Sequence, residues 1–157
     1  MAEQVRLLQA EIRSSIEAIE EVYRQIEGAG EQATGSSQDI IIAYYLHVLY
    51  GLFENLFEQI AQTFGHHITG DKSRWRSRLL KRMTLEVKPI RPAVIGQESY
   101  ICLNELRAFR HLFRNAYLLQ FDPERLNIVI RHANRLKSLY RIDLDKFLDF
   151  LEQLAQT

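Results

Sequence analysis

Apolar residues recur at spacings of three and four along the first part of the chain, with Glu, Gln and Arg between them. Because an α-helix turns once in about 3.6 residues, these apolar positions lie on one helix face. The pattern predicts a long amphipathic helix over residues 3–27. We expect Gly28-Ala29-Gly30 to end it and a Gly/Ser/Gln-rich loop to continue to residue 37. The apolar positions are Val5, Leu8, Ile12, Ile16, Ile19, Val22 and Ile26.

A second helix is predicted over residues 38–64, and it is apolar on nearly every side between residues 40 and 53. A helix of this kind is surrounded, either at the centre of a bundle or between the core and a dimer partner. We therefore expect a homodimer. His47 and Glu54 are polar exceptions on one face, and they form either a buried polar pair or part of a site. A core histidine satisfied by its surroundings is the commoner case.

The rest of the chain also has helical patterns. Residues 73–85 form a third predicted helix, and the Pro- and Gly-containing residues 86–98 should be extended and irregular. A central helix follows over residues 99–119. Asp122-Pro123 is a helix-start signal, and Asp143 should cap a separate last helix. No strand pattern appears, so the expected fold is all-α: an antiparallel, up-and-down helical bundle with additional short helices, forming a single domain over residues 1–157.

Composition excludes several kinds of site. The single cysteine, Cys102, allows neither an internal disulfide framework nor a Cys-based zinc site, and it fits a reducing cytosol. The adjacent His66 and His67 have no Cys or spaced His nearby to complete a metal site, so we expect a solvated loop there and no metal or cofactor. The N-terminus lacks a signal-peptide pattern, and the apolar run over residues 40–53 is too short for a membrane span. A cytoplasmic location is expected.

The formal net charge is zero, but the charges are divided along the chain. Residues 1–71 hold three Lys/Arg and eleven Asp/Glu, a net −8, whereas residues 72–141 hold sixteen and five, a net +11. Residues 142–157 hold one and four, a net −3. Such asymmetry indicates either a surface that binds a polyanion or helices that attract each other inside the protein. Residues 72–82 are the most basic segment, and they form either a solvated face or a phosphate contact.

The central helix carries two neighbouring stripes. Leu106, Phe109, Phe113 and Ala116 make the apolar one. Arg107, Arg110, Arg114 and Tyr117 make the other, with no acidic residue in it. Adjacent guanidinium groups repel each other, so this stripe is explained by an anion lying over it, either a phosphate or a carboxylate from elsewhere in the protein.

The central helix contains the pattern Arg110-x4-Asn115-x-Tyr117. This pattern resembles the Arg-x4-His-x-Tyr motif of HepT-like toxins, which belong to the HEPN ribonuclease superfamily. The Trp75 helix and the loop at 91–94 are also similar to that family, and the resemblance spans most of residues 40–151. It implies a HEPN-like bundle and metal-independent RNA cleavage at a dimer cleft, with Tyr117 as the target of a partner nucleotidyltransferase antitoxin. The sequence departs from the motif where Asn115 stands at the His position.

Cleavage by the RNA's own 2′-hydroxyl needs a base and stabilisation of the phosphoryl charge. Histidine suits the role of base, and arginine suits the stabilisation of phosphoryl charge. Asparagine can only form hydrogen bonds. Arg110, His111 and Asn115 are therefore the candidate catalytic residues, with His111 as a possible replacement base. Phosphate contacts are expected from Arg107, Arg114, Arg74 and Arg78.

Two other hypotheses stay open at this point. One is a catalytically inactive HEPN-like dimeric module that binds RNA, a nucleotide or a protein partner. In the other, the central arginines neutralise acidic residues of the first two helices at a dimer seam.

Overall fold

The computed structural model describes residues 1–32, 35–65, 72–114 and 122–157. Five helices lie in these ranges: α1 (Ala2–Gln32), α2 (Gly35–Thr63), α3 (Lys72–Arg82), α4 (Gln97–Arg114) and α5 (Pro123–Gln156). Over the same residues, β-pairing is limited to one bridge between Val87 and Arg91. The predicted all-α bundle is confirmed. The predicted turn with His66 and His67 lies outside the described residues.

Helix α2 is the centre of the bundle, since it packs against each of the other four helices. Its later turns supply much of the core, including Leu49, Phe53 and Phe57. Residues Ser37–Thr63 are long and apolar enough to cross a membrane by composition, with a mean hydropathy of 1.4, but half of that apolar window is buried in the bundle. Burial of this kind is typical of a core helix.

The first turns of α2 do not share this burial. Ile40, Ile41 and Tyr44 are 37%, 37% and 52% exposed. The prediction that α2 is surrounded is thus confirmed for its later turns, which other helices of the same chain cover. It is not met by the first turns within one chain. The early turns leave an apolar surface, which we call the α2 apolar face and define as Ile40, Ile41 and Tyr44.

Helix α1 continues past the glycines that were expected to end it. Ile26 and Ala29 extend its apolar stripe and are buried, at 9% and 6% exposure. A glycine inside a helix costs about 1 kcal/mol relative to alanine. Burial of the flanking residues offsets that cost, so the prediction that α1 ends at Gly28 was wrong.

The last two predicted helices are one helix of 34 residues, α5. Its start is as predicted, because the Asp122 side chain accepts a hydrogen bond from the Glu124 N–H and Pro123 follows the cap. Asp143, expected to cap a separate helix, instead lies inside α5. Its Oδ2 accepts hydrogen bonds from Gly96 N at 3.1 Å and from Ser99 Oγ at 2.5 Å, both at the start of α4. Asp143 is therefore a capping residue, but it caps a neighbouring helix.

The segment between α3 and α4 is fastened by Arg91, which is only 3% exposed. Its guanidinium donates to the carbonyl oxygens of Arg82 (3.1 Å), Leu85 (2.9 Å) and Pro92 (3.0 Å). Val94 N also donates to Met83 O at 2.8 Å. These bonds satisfy carbonyl groups at the end of α3 and thereby fix α3 against the loop that follows it.

Many charges of the basic region are paired inside the chain. Arg141 and Lys137 of α5 pair with acidic residues of α1, and Arg135 and Arg125 of α5 pair with acidic residues of α4. The pairs are Glu20–Arg141, Glu27–Lys137, Glu98–Arg135 and Glu105–Arg125. On α3, by contrast, Arg74, Arg78 and Lys81 are exposed and form no ion pair within the described part of the chain. Internal pairing therefore accounts for four of the six cations of α5, the exceptions being Arg131 and Lys146, and it leaves these exposed cations of α3 without acidic partners among the described residues.

Candidate active site where α2, α3 and α4 meet

One stripe of α2 faces α4 and α3. Its residues follow each other at spacings of three and four: Tyr44, His47, Gly51, Glu54 and Glu58. Such spacing places them on a single helix face. The His47 ring lies 4.9 Å from the Phe113 ring, centroid to centroid, and Glu54 meets Arg110. His47 and Glu54 therefore share a face, as the sequence predicts, and each contacts a different residue of α4.

Arg110 is anchored on Glu54. Its Nη1 donates to Glu54 Oε1 at 3.0 Å, and the two side chains are only 19% and 7% exposed. The Arg110 guanidinium lies over Gly51, since a Cβ built at Gly51 would be 3.9 Å from its Cζ. The carboxylate that faces the arginine stripe is thus one from the second helix, within the same chain. The hypothesis that the arginines neutralise acidic residues of the first two helices thus holds for Arg110, but the pair forms within one chain and not at a dimer seam.

Arg76 of α3 reaches the same carboxylate oxygen. Its Nε lies 3.5 Å from Glu54 Oε1, which is an ion-pair distance without hydrogen-bond geometry. Two guanidinium groups therefore lie side by side on one buried oxygen. The other oxygen, Oε2, is buried with no hydrogen-bond partner among the described residues, and the same is true of Nε of Arg76 and of Arg110.

Two ionisable groups beside this cluster have raised pKa values. Burial raises the pKa of Tyr50, and Glu54 adds to that effect while Arg107, Arg110 and Arg76 oppose it. Burial also raises the pKa of Glu58, again with a contribution from Glu54. Shifts of this kind cluster at functional sites, where charged groups are held in places that water does not reach well.

The other predicted site residues lie in different places. Arg107 is half-buried, and its Nε donates to Asn104 Oδ1 at 3.0 Å. His111 is exposed on α4, and Arg74 and Arg78 are exposed on α3, on the side away from Arg76 because two helical residues turn by about 200°. Nothing is described of the Arg114 side chain. Asn115 and Tyr117 lie outside the described residues.

Two residues of this cluster were not predicted to lie beside Arg110: Glu54 was expected as a buried polar residue or part of a site, and Arg76 only as one of several cations that contact RNA. Glu54 had a visible signal, since it is a carboxylate in an otherwise apolar helix face, and burial makes such a residue costly unless it is paired. Arg76 had none, because it is one of several cations in a basic segment and only packing selects it. Across the described residues, no group of three His, Cys, Asp or Glu side chains could hold a metal ion.

Together, the fold and this cluster define a HEPN-like helical module in which an arginine of α4 is anchored on a buried carboxylate of α2. The model of the HepT-like protein family matches residues 41–151, which is more than half of the chain. The chain therefore belongs to the HepT-like family. The matched span includes Glu54, Arg76 and Arg110 and excludes α1. No curated protein and no solved structure matches the chain.

Proposed function

We propose that this protein is a HepT-like ribonuclease toxin of a prokaryotic toxin–antitoxin system, acting in the cytoplasm as a single domain over residues 1–157. The observation that carries the proposal is Arg110, which lies in the family-matched span and is held in place by Glu54. A guanidinium whose position is fixed beforehand stabilises developing phosphoryl charge without reorganising during the reaction.

In the proposed reaction, the ribose 2′ oxygen bonds to the adjacent phosphorus and the bond from phosphorus to the 5′ oxygen breaks. The products are a 2′,3′-cyclic phosphate and a 5′-hydroxyl. A base takes the 2′-hydroxyl proton, and the leaving 5′ oxygen gains one. Arg110 stabilises the phosphoryl oxygens, His111 is the candidate base, and Asn115 supplies hydrogen bonds only. Arg107, Arg114, Arg74 and Arg78 hold neighbouring phosphates.

The active form is proposed to be a homodimer that uses the α2 apolar face. Support comes from the exposure of Ile40, Ile41 and Tyr44, and from continuity, because Tyr44 shares its stripe with Gly51 and Glu54. We expect Ile41→Lys/Tyr44→Lys to shift the protein to a monomer in sedimentation. Ile142→Lys, at an isoleucine of α5 that is 55% exposed, is the matched control and should leave the dimer intact. A wild type that sediments as a monomer at tens of micromolar contradicts the dimer.

The partner of the toxin is proposed to be a nucleotidyltransferase antitoxin that modifies Tyr117. Membership of the HepT-like family supports this step. A nucleotide added to Tyr117 would bring phosphate towards the arginine stripe and oppose entry of RNA. Mass spectrometry of the protein co-expressed with its antitoxin should find one added nucleotide, which Tyr117→Phe removes.

The alternative is a catalytically inactive HEPN-like dimeric module that binds RNA, a nucleotide or a protein. Asn115 at the motif His position favours it, and so does the pairing of Arg110 with Glu54, which is also what a purely structural arginine does.

An RNA cleavage assay of the wild type and Arg110→Ala decides between the two functions. We expect weak cleavage by the wild type and none by Arg110→Ala. The control is Arg110→Lys, which keeps a cation beside Glu54 and should retain part of the cleavage. A wild type without cleavage, or a folded Arg110→Ala as active as the wild type, contradicts the ribonuclease proposal.

A further inference from the structure

Arg76 differs from the other cations of its helix. It is the residue of α3 that reaches a carboxylate within the described part of the chain, and that carboxylate is the one that holds Arg110. We propose that Arg76 and Arg110 form one anion subsite across Glu54 and that this subsite binds a single phosphoryl group. The proposal rests on the proposed function for its biological substrate, an RNA strand.

Charge favours an anion at this place. Two guanidinium groups share one carboxylate, so the three side chains carry a net +1, and the charges of the neighbouring Arg107 and Glu58 offset each other. A phosphodiester carries one negative charge and matches that excess. Planar guanidinium groups bind phosphate oxygens through paired N–H donors, which makes two adjacent arginines a suitable cradle.

Unused donors favour it as well. The Nε atoms of Arg76 and Arg110 are buried and donate no hydrogen bond among the described residues. The Nε atoms of Arg91 and Arg125 are also buried without an acceptor, but those of Arg76 and Arg110 belong to two side chains that meet at one carboxylate. Buried donors of this kind call for an explanation such as a ligand, an ion or water. Part of each side chain still reaches the surface, at 26% exposure for Arg76 and 19% for Arg110. A phosphoryl group that enters from solvent would therefore meet the exposed part of each side chain, and the buried Nε atoms would donate to it once the guanidinium groups turn outward.

The position of Arg76 is fixed by the packing of α3. Leu79, Leu80 and Met83 of this segment are buried in the core, and Arg91 binds the carbonyl groups at the end of the helix. Glu54 then orients the Arg110 guanidinium through a hydrogen bond and attracts that of Arg76 at ion-pair distance. Such preorganisation lets an anion bind without first ordering the side chains that receive it.

The first test uses inorganic phosphate and the full-length protein labelled with ¹⁵N-arginine. The Nε–H NMR signals of Arg76 and Arg110 should move together with one dissociation constant as phosphate is added. Sodium chloride at matched ionic strength controls for general salt effects, and Arg131, an exposed arginine of α5, is the internal control. Signals of Arg76 and Arg110 that stay still, or that move no more than the Arg131 signal, overturn the subsite.

The second test is a double-mutant cycle on the affinity for a short RNA oligonucleotide at one salt concentration. Losing a charge-assisted hydrogen bond typically weakens binding about 10-fold or more. We expect Arg76→Gln to weaken binding about 10-fold in the wild type and hardly at all in Arg110→Gln, because residues that act as a unit are not additive. Arg78→Gln should have the same effect in both backgrounds. Arg76→Lys, which keeps the charge, should recover part of the affinity.

These tests separate the subsite from the ribonuclease. Coupled phosphate shifts in a protein that cleaves no RNA support the subsite and contradict the proposed function. Cleavage that depends on Arg110 while the Arg76 effect is additive, or absent, supports the function and overturns the subsite.

Discussion

Three residues apart on α4, Arg107 and Arg110 have different environments. Arg107 bonds to a neighbour on its own helix, whereas Arg110 bonds to a buried carboxylate of α2. Burying a charge costs several kcal/mol unless a partner compensates, and removing one partner leaves the other uncompensated. At the residue scale, two arginines of one helix thus have different roles: Arg107 bonds within its own helix, and Arg110 links α4 to α2.

Arg110→Ala should therefore reduce stability more than Arg107→Ala. Breaking a buried pair typically costs about 3–5 kcal/mol, and Arg76 still lies near Glu54, so we expect a loss of about 2 kcal/mol in the free energy of unfolding. Adding Glu54→Gln should recover part of that loss, because it removes the buried carboxylate that Arg110→Ala leaves with Arg76 alone. Urea denaturation followed by circular dichroism measures all three. Equal losses for Arg107→Ala and Arg110→Ala contradict the anchoring role of Glu54.

The departure at Asn115 leads to a second prediction at this scale. General acid–base help is typically worth roughly 10² to 10⁴ in rate, and an amide cannot provide it. Asn115→His should therefore raise the rate of RNA cleavage, measured on a labelled oligonucleotide. Asn115→Gln is the control, since it keeps an amide. If the histidine variant cleaves no faster than wild type, position 115 does not limit the reaction.

At the scale of elements, α4 and α5 are joined by a cap, because a residue of α5 caps the start of α4. Asp143 of α5 accepts from Gly96 N and from Ser99 Oγ, and Ser99 is 1% exposed. The first N–H groups of a helix have no partner within the helix, so an acceptor from another helix both satisfies them and fixes the angle between the two.

Asp143→Ala should lower the free energy of unfolding by about 1–3 kcal/mol, because it leaves the buried Ser99 hydroxyl without an acceptor. Thermal and urea denaturation provide the measurement. Asp149→Ala, on the same helix and exposed, is the control and should stay within about 0.5 kcal/mol of the wild type. A loss as small as that of the control shows that the cap adds nothing.

Helices α1 and α5 are tied by ion pairs, one of which predicts a pH dependence. Hydrogen bonds from Arg6, Gln9 and Gln156 lower the pKa of Glu152 to about 2, from an ordinary value of 4.5. Because the folded pKa is depressed, the contribution of Glu152 is complete above pH 4.5 and is lost as the pH falls towards 2.

Glu152→Gln should accordingly be less stable than wild type at pH 7, and the difference should shrink as the pH falls through this window. Urea midpoints at pH 7, 4 and 2 give the comparison. Glu17→Gln, at an exposed carboxylate of α1 that forms no ion pair with the other described residues, serves as the control. A difference that persists unchanged at pH 2 contradicts the assignment.

At the scale of the whole molecule, cations of α5 are largely offset by acidic residues, and exposed cations of α3 are not. Arg135 and Lys137 belong to pairs, whereas Arg74 and Arg78 do not within the described residues. A polyanion is therefore expected to approach the α3 side of the protein.

The affinity for single-stranded RNA should fall as salt rises. A plot of log affinity against log salt concentration should steepen by roughly 0.7 for each phosphate contact. Arg74→Gln/Arg78→Gln should reduce that slope by about 1.4, whereas Arg135→Gln/Lys137→Gln should change it less. Fluorescence anisotropy between low and physiological salt tests both. Binding that does not depend on salt, or that depends equally on the two pairs, removes α3 as the RNA surface.

What the sequence determined by itself is local. Helical periodicity predicted each helix, because burial of one face repeats every three or four residues, and the motif around Arg110 indicated the HepT-like family. The local signals failed at Gly28 and Asp143, where core packing and a distant helix overrode what neighbouring residues favour.

Only the tertiary structure decided which charges meet. Glu54 and Arg110 are 56 residues apart, and Asp143 and Ser99 are 44 apart, so no local pattern relates them. The charge asymmetry is visible in the composition, but its division into paired cations on α5 and exposed cations on α3 depends on helix packing. Arg76 is the clearest case: it is one cation among several in the sequence, and it becomes part of the site because α3 packs beside the buried carboxylate of α2.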